Sequence, residues 1–123
     1  MEKLLEYNPV TFLVATDELG KPKGYAVASV SRRSAHLISI AVLQDSRRKG
    51  AATLLLQELF RRLLEVHVEE VWLEVNTKDV GAIALYLKLG FEKLMTVDHY
   101  YSDGAAALKM RLSLGVPGGA HWS

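Results

Sequence analysis

The strongest constraint on how this chain can fold is a double change of hydrophobic period between residues 36 and 75. His36 to Leu43 (HLISIAVL) is a nearly continuous apolar run, which predicts a strand buried on both faces. From about Arg48 to His67 the period becomes helical. Ala52, Leu55, Leu56, Leu59, Leu63 and Val66 make one stripe, and Gln57, Glu58, Arg61, Arg62 and Glu65 lie off it. Val71 to Val75 (VWLEV) is again short, apolar and rich in β-formers. Strand, helix and strand in succession predict a parallel pair joined by a right-handed crossover.

The flanking segments extend this unit. Thr11 to Asp17 alternates as a strand, Glu18 to Pro22 is a turn by its Gly and Pro, and Gly24 to Ser31 returns as the second arm of a hairpin. Asp79 or Thr77 can cap a helix over Val80 to Leu89, which Gly90 ends. Phe91 to Asp98 and Leu108 to Leu112 read as closing strands around the loop Tyr101 to Ala105. The order β-β-β-α-β-α-β-β predicts an α/β (α+β) mixed sheet with helices packed on it. At 123 residues the chain fits one domain, since domains run to roughly 100 to 200 residues. We assign residues 1–114 to it and residues 115–123, rich in Gly and Pro, to a loose tail.

Composition narrows the chemistry. The absence of cysteine excludes disulfides, thiolate metal sites, Cys nucleophiles and iron–sulfur clusters, and no metal site is expected. The uncharged run Ser34 to Gln44 is far short of the roughly 20 residues of a membrane helix. The N-terminus lacks the layout of a signal peptide, so a cytoplasmic protein without a membrane partner is expected. A net charge of +1 gives no general pull on nucleic acid. Any basic site must be local.

Such a site exists in Gln44 to Thr53 (QDSRRKGAAT), where a strand ends and the first helix opens. First turns favour acidic residues because their free N–H groups carry partial positive charge. Here three cations, Arg47, Arg48 and Lys49, stand there instead, followed by the small residues Gly50, Ala51 and Ala52. An anion bound by backbone N–H groups would account for that reversal. A solvated basic turn whose small residues let the helix pack closely on the sheet accounts for it as well. Neither a P-loop nor a Rossmann fingerprint is present. The Leu-rich helix has few side chains suited to reading bases, so a small-molecule phosphate is the preferred anion.

Arg47-x-x-Gly50-x-Ala52, between a strand ending Ile40-Ala41-Val42 and a helix, resembles the acetyl-coenzyme A pyrophosphate motif of the GCN5-related N-acetyltransferases (GNAT). Trp72-Leu-Glu-Val75, Ala82 to Phe91, Tyr100 to Gly104 and Met110 follow in the order and spacing of that family, so the resemblance covers about residues 11–113. It is greatest to N-terminal protein acetyltransferases of the bacterial ribosomal-protein alanine type and the archaeal Ard1 type, and His36 to Leu43 followed by Arg47 to Gly50 favours the archaeal side. The resemblance implies a mostly antiparallel GNAT-like sheet, acetyl-coenzyme A as co-substrate and a protein N-terminus as acceptor. It implies cofactor contacts from Ile40, Ala41, Val42, Arg47, Arg48, Lys49, Gly50, Ala51, Ala52, Thr53, Asp79 and Tyr86.

Acetyl transfer to an α-amine, whose reference pKa is near 8, requires a proton acceptor. Glu74 lies between Leu73 and Val75, where desolvation would raise a carboxyl into the range of a general base. A carboxylate on the wet face of the sheet or in an ion pair is the plainer reading of the residues alone. The resemblance assigns Glu74 as base, with His36 either assisting it or an ordinary strand-end histidine. It assigns Tyr86, also a candidate core aromatic, as the acid that protonates the departing thiolate. Tyr100 and Tyr101 resemble the family's paired tyrosines beside the peptide N-terminus, and strand alternation would let one of them face the groove.

Departures bear on the acceptor. Asp79 stands where the family usually has asparagine, so it keeps a capping role but would repel phosphates. Asn76 replaces a common arginine, and acidic residues near Ala105 and Ala106 are absent. Relatives carry a strand and helices ahead of the hairpin that wall the acceptor groove. Here about ten residues, with Leu4, Leu5 and Tyr7 as the stub of a helix, precede Thr11, so that part is expected to be shortened or absent. A second copy of the chain, forming a homodimer, could supply the wall. Two alternatives follow: acetylation of lysine, a polyamine or another small amine, and an acetyl-coenzyme A binding module with an incomplete groove.

Overall fold

The computed structural model describes residues 10–16, 18–43 and 50–115, with side chains from Thr16 onward. Among the described residues six strands and two helices follow one another as β1 (Val10–Thr16), β2 (Pro22–Ser31), β3 (Ser34–Val42), α1 (Ala51–Glu65), β4 (Glu70–Asn76), α2 (Val80–Lys88), β5 (Glu92–Val97) and β6 (Ala107–Ser113). This is the expected element order. The strands form one sheet in the order β1-β2-β3-β4-β6-β5. Only β3 and β4, the pair joined through α1, run parallel; all other neighbours are antiparallel.

Strand alternation explains which face is covered. In β4, Val71, Leu73 and Val75 are buried while Glu70, Trp72, Glu74 and Asn76 are half-buried. In β6, Leu108, Met110 and Leu112 are buried, with Lys109 and Arg111 between them. The buried set joins Leu55, Leu56, Leu59, Phe60 and Leu63 of α1 and Tyr86 of α2 in one core. The rings of Phe60 and Tyr86 both pack on Phe91, with centroids 5.9 and 5.5 Å apart, and so link the helices. Burying a side chain of this size contributes about 1.5 to 3 kcal/mol. Both described helices therefore lie on the same face of the sheet. The other face carries a polar and aromatic row.

Two expectations change as a result. β3 is not buried on both faces: Ala35 and Leu37 enter the core, whereas Ile38 is 53% exposed. A shift in the β2–β3 register between Val27 and Ala28 leaves Ile38 without a partner in that ladder, so the apolar run marks a bulged strand with one open side. In α1, Phe60 belongs to the core stripe, while Val66 lies just past the helix end and is 57% exposed. Phe60 sits one turn after Leu56, in line with the stripe.

The helix ends are set by local chemistry. Gly50 at the start of α1 has φ +74°, a left-handed conformation that costs glycine least. The first turn of α1 contains no acidic residue. Asp79 caps α2 by accepting a hydrogen bond from the Ala82 N–H at 3.1 Å, and Gly90, with φ +105°, follows its end.

Candidate functional site

The parallel pairing of β3 and β4 stops at His36 opposite Trp72. Beyond that point the strands separate, and the backbone of β3 that faces β4 is free of its ladder. A cleft of about 230 Å³ opens there, lined by Leu37, Ile38, Ser39, Ile40, Leu73, Glu74 and Tyr86. Glu74 reaches it from β4 and Tyr86 from α2. Two residues 12 positions apart on different elements thus border one opening.

Glu74 is held by a partner on the next strand. Its Oε1 is 2.8 Å from His36 Nε2, and the Glu74 side chain is 13% exposed, that of His36 31%. This corrects the expectation that Leu73 and Val75 desolvate the carboxyl. Those side chains point into the core, and alternation turns Glu74 to the opposite face, where its surroundings are polar. The imidazole lies flat on Trp72, with centroids 3.9 Å apart and ring planes within 1°. Lys109 Nζ lies 4.7 Å from the Trp72 ring centre.

The tyrosines complete the surroundings. Burial, with added repulsion from Asp79 and Tyr101, raises the Tyr86 pKa and keeps its hydroxyl protonated. Tyr100 and Tyr101 belong to the irregular segment after β5, with ring centroids 4.9 Å apart. Burial and then the charge of Glu74 raise both their pKa values. The backbone there is not extended; His99 has φ +54°.

A second cavity, of about 660 Å³, adjoins the cleft. Ile40, Ala41, Val42, Gly50, Ala52, Thr53, Asp79 and Tyr86, all expected at a cofactor site, line it. Ile40 and Tyr86 border both spaces. Ala51 shares the same turn but is not among the lining residues. Gly81, Ala82 and Leu85 also line the cavity; the 3.6-residue period carries Ala82 and Leu85 onto the face of Tyr86 and was the signal for them. Arg47, Arg48 and Lys49, together with Leu4, Leu5 and Tyr7, lie outside the described residues. The small lining residues and the helix start beside them are compatible with an anionic ligand. Small side chains leave room beside the start of α1, where N–H groups are free of intrahelical partners. Among the described lining residues Asp79 is the charged one, and its carboxylate is electrostatically opposed to an anion.

The acetyltransferase (GNAT) family matches residues 1–91 of the chain. An N-alpha-acetyltransferase of Sulfurisphaera tokodaii is 36% identical over an alignment of 127 positions that covers 93% of this chain and 75% of that protein. The crystal structure of the ribosomal-protein-S18-alanine N-acetyltransferase from Escherichia coli superposes with a TM-score of 0.81 at 33% identity, over 91% of this chain and 74% of that one. Ard1 from Thermoplasma volcanium is similar with a TM-score of 0.81 at 32% identity, over 91% and 76% respectively.

Proposed function

Because the chain belongs to the acetyltransferase (GNAT) family, and is an acyltransferase on that ground, we propose that it transfers the acetyl group of acetyl-coenzyme A to the α-amine of a protein N-terminus. The observation that carries this reading is the cleft shared by Glu74 and Tyr86, which Ile40 and Tyr86 also border on the side of the 660 Å³ cavity. The N-terminal acceptor is supported by the names of the relatives, an N-alpha-acetyltransferase and a ribosomal-protein-alanine N-acetyltransferase.

In this proposal the cavity lined by Ile40 to Val42 and Gly50 to Thr53 receives acetyl-coenzyme A, which supplies the activated thioester. Backbone N–H groups of Ile40 to Val42 hold the thioester carbonyl and the pantetheine arm, as donors fixed where negative charge develops. Glu74 takes a proton from the amine as its nitrogen bonds to the carbonyl carbon, and His36 at 2.8 Å shares the charge or relays the proton. Tyr86, kept protonated by burial, gives its hydroxyl proton to the sulfur as the carbon–sulfur bond breaks. Tyr100 and Tyr101, whose rings meet edge to face and whose hydroxyls feel the charge of Glu74, border the acceptor.

The test is acetyl transfer to peptides beginning with Ser, Ala, Thr or Met, monitored by mass spectrometry. Transfer to the α-amine is expected. Transfer only to lysine side chains or polyamines would move the acceptor to another amine. Cofactor binding without any turnover would reduce the chain to a binding module.

A further inference from the structure

The face of the sheet opposite the two described helices carries a row of side chains from three adjacent strands, and one member has no part in the proton transfers above. Sheet order places β4 between β3 and β6. Across β3 and β4, His36 is in register with Trp72; across β4 and β6, Lys109 is in register with Glu74. Two basic groups therefore flank one carboxylate. His36 is bonded to it at 2.8 Å, whereas the Lys109 ammonium lies 4.7 Å from the Trp72 ring centre and makes no ion pair with Glu74 among the described residues. Strand alternation puts Trp72 on the same face as Glu74, two residues away, so the indole stands between the imidazole and the ammonium.

We propose that Trp72 is a positioning residue, which fixes the His36 imidazole against Glu74 on one side and engages the Lys109 ammonium on the other. This rests on the reading of Glu74 as proton acceptor. A hydrogen bond to one ring nitrogen leaves the imidazole free to turn about its broad second torsion. Coplanar stacking at 3.9 Å and 1° removes that freedom. An ammonium set directly across from a carboxylate would pair with it and compete with a substrate proton. The face of a tryptophan gives the same ammonium another partner.

The experiment compares kcat and the KM for acetyl-coenzyme A in Trp72→Leu, Trp72→Phe, Trp72→Leu/Lys109→Met and Glu74→Gln, with NMR spectra of the histidine ring protons. In Trp72→Leu kcat should fall about tenfold or more, in keeping with the sensitivity of rates to small misplacements. KM for acetyl-coenzyme A should hold, since Trp72 does not line its cavity. Trp72→Phe should recover most of the loss, and removing Lys109 from the leucine variant should recover part. The His36 signals should carry the indole's ring-current shift in the wild type and lose it in Trp72→Leu. A wild-type kcat in Trp72→Leu while Glu74→Gln is impaired would overturn the proposal, as would equal losses in the leucine and phenylalanine variants. If Glu74→Gln itself turns over normally, the base assignment falls instead. The NMR comparison still reads the stack in that case, and unshifted His36 signals overturn it.

Discussion

At the scale of single residues, the site depends on where alternation sends a side chain. Glu74 was recognisable as a candidate from its place in VWLEV, but its neighbours in the chain are not its neighbours in space. Leu73 and Val75 enter the core, and Glu74 meets His36, 38 positions earlier, on the other face. Replacing Glu74 by Gln, which keeps the shape and removes the basic oxygen, should lower kcat about 100-fold or more, the range for loss of general base catalysis. Tyr86→Phe should do the same from the acid side; steady-state rates on a peptide acceptor at saturating acetyl-coenzyme A check both. Tyr86 also makes stability depend on pH. Its pKa in the fold lies above the ordinary value of 10.0, through burial first and the nearby Asp79 and Tyr101 next. The contribution of its neutral hydroxyl is thus complete below that value and is lost as pH rises past it. Thermal unfolding followed from about pH 8 to pH 11 should show the wild type losing ground to Tyr86→Phe only at the alkaline end. A constant difference would contradict this.

At the scale of elements, most of the chain was legible. The switch from apolar strand to 3.6-residue period and back located β3, α1 and β4, because burial on one side imposes those periods. Asp79 and Gly90 marked the limits of α2 by the needs of free N–H and C=O groups. The misreading of β3 has a definite cause. Its apolar run includes Ile38, which has no partner in the register with β2, and a bulge of that kind leaves no trace in hydrophobicity. Asp79 serves two elements, as cap of α2 and as lining of the cavity, and substitutions separate the two. Asp79→Ala should cost about 1 kcal/mol of stability through loss of the cap. Asp79→Asn should keep the cap while removing a negative charge from a site proposed for phosphates, so calorimetry should find tighter acetyl-coenzyme A binding. Unchanged affinity would show that the carboxylate lies outside the reach of the ligand's charge.

At the scale of the whole molecule, one sheet with both described helices on one face leaves the opposite face to carry Glu74 and His36, while the separation of β3 from β4 opens a way to Tyr86 on the helix side. Binding at the 660 Å³ cavity ties β3, α1 and α2 together, so acetyl-coenzyme A should stabilise the fold by mass action, by about 2.7 kcal/mol at 100 times its Kd. Thermal unfolding across a concentration series measures this, and an unmoved midpoint would remove acetyl-coenzyme A from the proposed function. The amino-acid sequence by itself determined the element order, the parallel unit, the helix caps and the residues at the start of α1. These follow from periodicity and backbone hydrogen bonding over a few neighbouring residues. Tertiary structure decided which chemical groups meet. Glu74 faces His36, Tyr86 shares its cleft, and Trp72 stands between His36 and Lys109 because of strand order, register and the point where pairing ends. Those are relations between segments far apart in the chain, and local patterns of hydrophobicity do not encode them.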